Sequence, residues 1–214
     1  MRNWLMGMAA ALLTTGAAAQ VERFVEGTHY FALKTPQPTL TGDKVEVLEV
    51  FNYACAHCGH LDPVIEKWHA NKPKQAQLRY LPAVWQKPAW PEYAAVYLTS
   101  LKLGVADKSH HALMDLMYVQ NKVPKDLTEI AQFFTQFGVT AEQFTQTFSS
   151  PEIGEQLKSA AEQIGGYEVE GTPTLVVDGR WRFDVTSAGG PEQVGPLIDH
   201  LVTRALNRSA DAGK

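Results

Sequence analysis

The chain has 214 residues, 45% of them hydrophobic, and 19 Lys and Arg against 23 Asp and Glu give a formal charge of −4. That length and composition fit one domain able to bury a core without staples. A slightly acidic chain with no basic stripe or aromatic-interleaved patch argues against a nucleic-acid partner.

Taken in chain order, Arg2, an apolar run at residues 4–13 and the small residues Ala17, Ala18 and Ala19 have the organisation of a cleavable export signal, with the cut expected before Gln20. Residues 1–19 are therefore read as a signal peptide and 20–214 as the mature domain. The apolar run is too short to span a bilayer and no later run reaches about 18 apolar residues, so a soluble mature chain is expected. No cysteine lies near the cut, so no lipid anchor on that residue type is expected.

Val45–Phe51 is apolar and β-branched on both faces and reads as a central strand, in which Glu49 is out of place. Ala56–Asn71 reads as a helix, with Leu61, Val64, Ile65 and Trp68 at helical spacing and Pro63 expected to kink it near its start. A second strand is expected at 77–81, closed by Pro82. Helical spacing then takes over, predicting helices at 91–103, 106–120, 127–137, 141–148 and 151–164. Gly104, Gly138 and the Gly165-Gly166 pair serve as stops, and Thr140 with Gln143 as a reciprocal cap. Strand signals return at 174–177 and 180–183 around a two-residue Asp178-Gly179 turn, and a last helix is expected at about 192–206. A strand–helix–strand unit and a hairpin–helix unit can share one mixed sheet. The fold class is therefore α/β, a thioredoxin-like mixed sheet with a helical insertion at about 86–166.

The only two cysteines, Cys55 and Cys58, stand two residues apart in FNYACAHCGH, directly after the first predicted strand. A strand that ends in C-x-x-C and runs into a helix puts the first thiol at a helix N-terminus, where unpaired N–H groups and the macrodipole favour an anion. Cys58, about one turn further on, is close enough to close a small disulfide ring. A structural staple is a poor reading, because so short a ring removes little entropy from the unfolded chain. Half of a zinc site is the next reading, with His57 and His60 nearby, yet a closed structural site usually wants four ligands and no second C-x-x-C exists. The pair predicts thiol–disulfide exchange, with no metal and no cofactor.

Downstream, Glu170-Gly171-Thr172-Pro173-Thr174 places a proline where it cannot donate to a ladder, an edge or turn device with either a trans or a cis bond. His110 and His111 fall on a predicted helix beside Met114 and Met117. Adjacent helix residues do not face one ligand, so the two read as an exposed polar edge. Trp85, Pro88 and Trp90 read as a packed connection after the second strand.

The stretch VLEVFNYACAHC, followed far downstream by EGTPTLVVDG, resembles the DsbA family of exported thiol:disulfide oxidoreductases over essentially the whole mature chain. The resemblance implies that Pro173 is cis and faces the cysteine pair. It implies that Ala56, Thr172 and Pro173 meet the substrate, Thr172 offering its backbone to an incoming strand. His57 would donate to the Cys55 sulfur and help hold it as thiolate. Glu49 would be a buried acid exchanging a proton with Cys58, although a strand glutamate also has a plainer reading as the partner of Arg79 on the neighbouring strand. Tyr53, Ala54 and Gly59 would shape the surface around the thiol. Ala56 stands where the best-known members carry proline, which leaves the redox poise open.

The same resemblance implies a monomeric periplasmic dithiol oxidase that acts on unfolded exported proteins with free cysteines and is reoxidised by a DsbB-type membrane quinone reductase. One alternative is a disulfide isomerase or reductase on the same fold, against which counts the lack of room for an N-terminal dimerisation domain. The other is a non-enzymatic metal-binding chaperone using the two cysteines and a histidine.

Overall fold

A computed structural model describes residues 23–212, so the export signal expected at 1–19 lies outside the described residues. The strands are β1 (Phe31–Ala32), β2 (Val45–Phe51), β3 (Ala76–Pro82), β4 (Thr174–Val177) and β5 (Trp181–Asp184), in one mixed sheet of order β1-β5-β4-β2-β3. β2 is central and buried along its whole length, which is why its sequence is apolar on both faces. It runs parallel to β3 and antiparallel to β4. A parallel pair needs a crossover, and α1 (Ala56–Asn71) supplies it, remaining helical through Pro63.

The insertion holds α2 (Trp90–Lys102), α3 (Ala106–Tyr118), α4 (Leu127–Phe134), α5 (Ala141–Phe148) and α6 (Pro151–Gly166); α7 (Val185–Ala188) and α8 (Pro191–Ala212) close the chain. α4 stops earlier than its spacing predicts, because residues Thr135–Phe137 tighten into a 3₁₀ turn before Gly138 takes φ 88°. α6 runs through the two glycines expected to end it, and the chain instead turns at Glu168, with φ 54°. β1 and α7 were not foreseen, since two- and four-residue elements show no periodicity.

The β4–β5 hairpin opposes Val177 to Trp181, so its loop has three residues rather than two. Asp178 and Gly179 still take the positive φ (56° and 58°) that an Asp-Gly turn requires. Glycine is needed at the second of these on a further count, because a Cβ on Gly179 would stand 2.1 Å from the Gln37 carbonyl oxygen.

Strand alternation sorts the core into layers. Val45, Val47, Leu175 and Val177 pack under α1 and α8 against Leu61, Ile65, Leu197 and Leu201. Leu48, Val50 and Val176 point the other way, against Ala160 and Ile164 of α6. Beyond the carboxyl end of β2, Phe51, Tyr53 and both cysteines enter a third cluster with Tyr97, Leu113, Met114, Phe134 and Phe144 of the helical insertion. The cysteine pair therefore sits where the sheet meets the insertion.

Candidate active site

Asn52 begins the turn that carries the chain from β2 into α1. Its backbone oxygen accepts from Cys55 N–H at 3.0 Å and its side-chain oxygen from Ala54 N–H at 2.8 Å. Its amide nitrogen donates to the carbonyls of Ala83 (2.7 Å) and Trp90 (2.9 Å). One fully buried side chain thus pins the turn to the loop after β3. Trp90 in turn packs on Trp85 with ring centroids 5.4 Å apart, a packed connection as its sequence suggests.

Cys55 is the N-cap of α1 rather than its first helical residue, and its sulfur takes the capping role by accepting from Cys58 N–H at 3.3 Å. It is 7% exposed and Cys58 is 0% exposed, so the outer sulfur is less open than a helix-start position suggests. The thiols are unbridged. The Thr172–Pro173 peptide bond is cis, and the Thr172 carbonyl lies 3.5 Å from the Cys55 sulfur.

The two thiols are driven apart. A hydrogen bond from Cys58 is the largest influence lowering Cys55 to about 6; burial opposes it, while the Thr172 side chain and the backbone N–H groups of Cys58 and His57 add to it. Burial pushes Cys58 far upward, reinforced by its hydrogen bond to Cys55 and by the charges of Glu49 and Cys55. One sulfur is held as thiolate while the other keeps its proton.

His57 contributes through its backbone. Its imidazole is exposed and lines a groove of about 440 Å³ with His60, Thr172, Pro173 and Arg182, and no hydrogen bond joins it to the Cys55 sulfur. Ala56, also exposed, follows Cys55 at the first helical position.

Glu49 is 2% exposed, and its carboxyl is raised well above the carboxylate range by burial first and then by the charges of Asp62, Cys55 and Glu66. Arg79 does not reach it. The register sets Leu48 beside Arg79 and Glu49 beside Tyr80, and paired residues share a face, so Arg79 points to the α6 side. There it meets Glu46 at 3.1 Å.

The histidine pair also differs from its expected exposed edge. His110 is 3% exposed, with its Nδ1 3.1 Å from the Tyr53 hydroxyl and its ring centroid 4.0 Å from that of Tyr80. His111 is hydrogen-bonded to Asp62, whose other oxygen lies 3.9 Å from His110 Nε2. Both rings reach one carboxylate because Asp62 enters the α1–α3 interface between them. Burial raises Asp62 to about 6 against the pull of His111, and burial lowers His110 to about 3. Among the described residues no group of three or more His, Cys, Asp or Glu could hold a metal.

Sequence reasoning brought Cys55, Cys58, Glu49, Thr172 and Pro173 to one place but missed Asn52, Asp62 and Tyr118. Asp62 carried a usable signal, since it lies four residues after Cys58 on the same helix face.

A C-x-x-C pair capping the first helix of a thioredoxin-like sheet, with a cis-proline loop against the outer sulfur, defines a dithiol–disulfide exchange protein. A DSBA-like thioredoxin domain model matches residues 81–194. The chain is 34% identical over 205 residues to the thiol:disulfide interchange protein DsbA of Pseudomonas aeruginosa, covering 95% of this chain and 97% of that one. It is 32% identical over 206 residues to the protein of the same name from Pseudomonas syringae pv. tomato, covering 95% and 96%. The crystal structure of Pseudomonas aeruginosa DsbA superposes with a TM-score of 0.78 at 33% identity, over 91% of this chain and 99% of that one. The chain belongs to the DsbA-like thioredoxin-domain family, and it is a thiol:disulfide oxidoreductase.

Proposed function

We propose that the protein is an exported dithiol oxidase that passes its Cys55–Cys58 disulfide to unfolded periplasmic proteins, residues 1–19 serving as the export signal. The observation that carries this reading is the division between the thiols, Cys55 lowered to about 6 and Cys58 pushed far upward. A disulfide whose reduced form holds a stabilised thiolate is easily reduced and so readily oxidises others.

In the exchange, a substrate thiolate attacks the Cys55 sulfur. The substrate–Cys55 bond forms, the Cys55–Cys58 bond breaks, and Cys58 departs with the electron pair and takes a proton, for which Glu49 is the neighbouring source. A second substrate thiolate then attacks the substrate sulfur of the mixed disulfide and Cys55 leaves as thiolate. The substrate loses two electrons and the enzyme gains them. Thr172 and Pro173 hold the peptide as an added strand, and the groove beside them takes its flanking side chains, with His57 at its rim and the exposed Ala56 between His57 and Cys55. A DsbB-type membrane quinone reductase restores the disulfide, and the enzyme works as a monomer.

Cys58→Ser is expected to accumulate mixed disulfides with exported proteins on non-reducing gels, whereas Cys55→Ser accumulates few. Equal trapping by both variants would overturn Cys55 as the attacked sulfur.

A further inference from the structure

One side chain carries α3 to the redox centre, and the exchange as proposed makes no use of it. Gly59, directly after Cys58, is buried, and a Cβ on it would stand 2.1 Å from Cδ2 and 2.3 Å from Cγ of Tyr118. The phenol ring thus occupies the space that any other residue at position 59 would need. From that seat the Tyr118 hydroxyl donates to the Tyr53 carbonyl at 2.6 Å, on the turn leading into Cys55. The half-buried ring packs against the apolar cluster that contains both cysteines. Burial and then the charges of Cys55 and Cys58 push its phenol up to about 12, so it lies within reach of both sulfurs' fields.

We propose that Tyr118 is a positioning residue that shields the inner thiol: its ring closes the α3 side of Cys58, and Gly59 is the recess that admits it. Cys58 itself is 0% exposed, while the Thr172 carbonyl of the cis-proline loop sits 3.5 Å from the outer, Cys55 sulfur. With the inner thiol buried and the ring seated beside it, an external thiol or disulfide meets Cys55 alone. The inference extends the reading of Cys55 as the attacked sulfur, but its test reads access to Cys58 directly, with no turnover involved.

The test is the rate at which iodoacetamide labels Cys58 in the full chain carrying Cys55→Ser, under native conditions and at one pH. Adding Tyr118→Ala is expected to raise that rate about tenfold or more, while Tyr118→Phe, which keeps the ring, leaves it within about twofold. Gly59→Phe combined with Tyr118→Ala refills the space from α1 and is expected to bring the rate back towards the parental one. The inference is overturned if Tyr118→Ala leaves the rate unchanged, or if Tyr118→Phe labels as fast as Tyr118→Ala. It is also overturned if the increase follows the loss of global stability measured by urea and is not reversed by Gly59→Phe. Should Tyr118→Ala fail to fold, Gly59→Ala, whose methyl group displaces the ring, is expected to speed labelling in its place, and unchanged labelling there refutes the shield. Failure of the parent reading has a different signature, namely mixed-disulfide trapping by the Cys55→Ser protein itself.

Discussion

Reducing the disulfide should stabilise the fold, and by an amount that depends on pH in a defined way. Cys55 is lowered from an ordinary 9.0 to about 6, which corresponds to at most about 4 kcal/mol. Cys55 lies next to Thr172 and His57, which line a solvent-open groove, so water and salt screen part of this and about 2 kcal/mol is the working magnitude. The sign follows from linkage. A folded-state value below the unfolded one means that the thiolate's contribution is fully present above the unfolded value, near 9.0, and is lost as pH falls through about 6. Cys58 acts in the opposite sense: it keeps its proton in the fold but ionises in the unfolded chain, so the reduced protein loses stability again at still higher pH.

Denaturant unfolding of the reduced and oxidised proteins, from about pH 5 to about pH 9, isolates these two groups together with Glu49, which feels the Cys55 charge, because the remaining titrating residues are common to both forms. The reduced form is expected to gain on the oxidised one by about 2 kcal/mol across that range, equivalent to about 40 mV of added oxidising potential in equilibrium with glutathione. Thiolate absorbance of the reduced protein should rise with a midpoint near 6. A stability difference that stays flat with pH, or a thiolate that appears only above about pH 8, would refute the division of charge between the two sulfurs.

Two further substitutions test the groups around the thiols. Glu49→Gln should slow turnover by removing the proton source beside Cys58, yet stabilise the fold at neutral pH. The reason is that burial holds the carboxyl protonated in the fold while the unfolded chain ionises above its ordinary 4.5, and the gain should vanish below that value. A variant less stable than the parent at neutral pH contradicts this sign. Asn52→Ala leaves Ala54 N–H and the carbonyls of Ala83 and Trp90 without their partner, at an expected cost of about 2–4 kcal/mol in urea unfolding, with the Cys55 titration moving upward. A loss below about 0.5 kcal/mol would mean that other groups fix the turn.

The sequence was legible where one rule decided the outcome. β2 is buried on both faces and reads so, and α1 shows its stripe of Leu61, Ile65 and Trp68. The Thr140–Gln143 capping box forms with both of its hydrogen bonds. Legibility failed where a second element chose. Arg79 had two glutamates within reach, and only the β2–β3 register sends it to Glu46 and leaves Glu49 alone. His110 and His111 look alike in sequence, yet packing against Phe51, Tyr80 and Tyr97 buries one, while the other keeps a solvent-facing edge on Asp62. Gly59 carried no sign of its purpose, because the ring that fills its place comes from Tyr118 on another helix.

The site concentrates acidic groups in a small buried volume, and only at Cys55 do hydrogen bonds to the anion outweigh burial; at Asp62 the bond from His111 does not. Glu49 and Asp62 are raised chiefly by burial, as is Cys58, and each also feels a neighbouring negative charge. Cys55 alone is lowered, because a cysteine at the N-cap gathers the Cys58 thiol and two backbone N–H groups around its sulfur. A thiolate on Cys55 is itself one of the charges that hold Glu49 in its acid form. In the proposed exchange that charge is absent while Cys55 is bonded to Cys58 or to substrate, so Glu49 then parts with its proton more easily, at the moment when Cys58 leaves as thiolate. Once Cys55 is released as thiolate, its charge raises Glu49 again and disfavours ionising a second group beside it. The order of proton movements thus follows from where the one stabilised anion sits, and moving Cys55 off the N-cap would remove both the oxidising power and the timing of the proton.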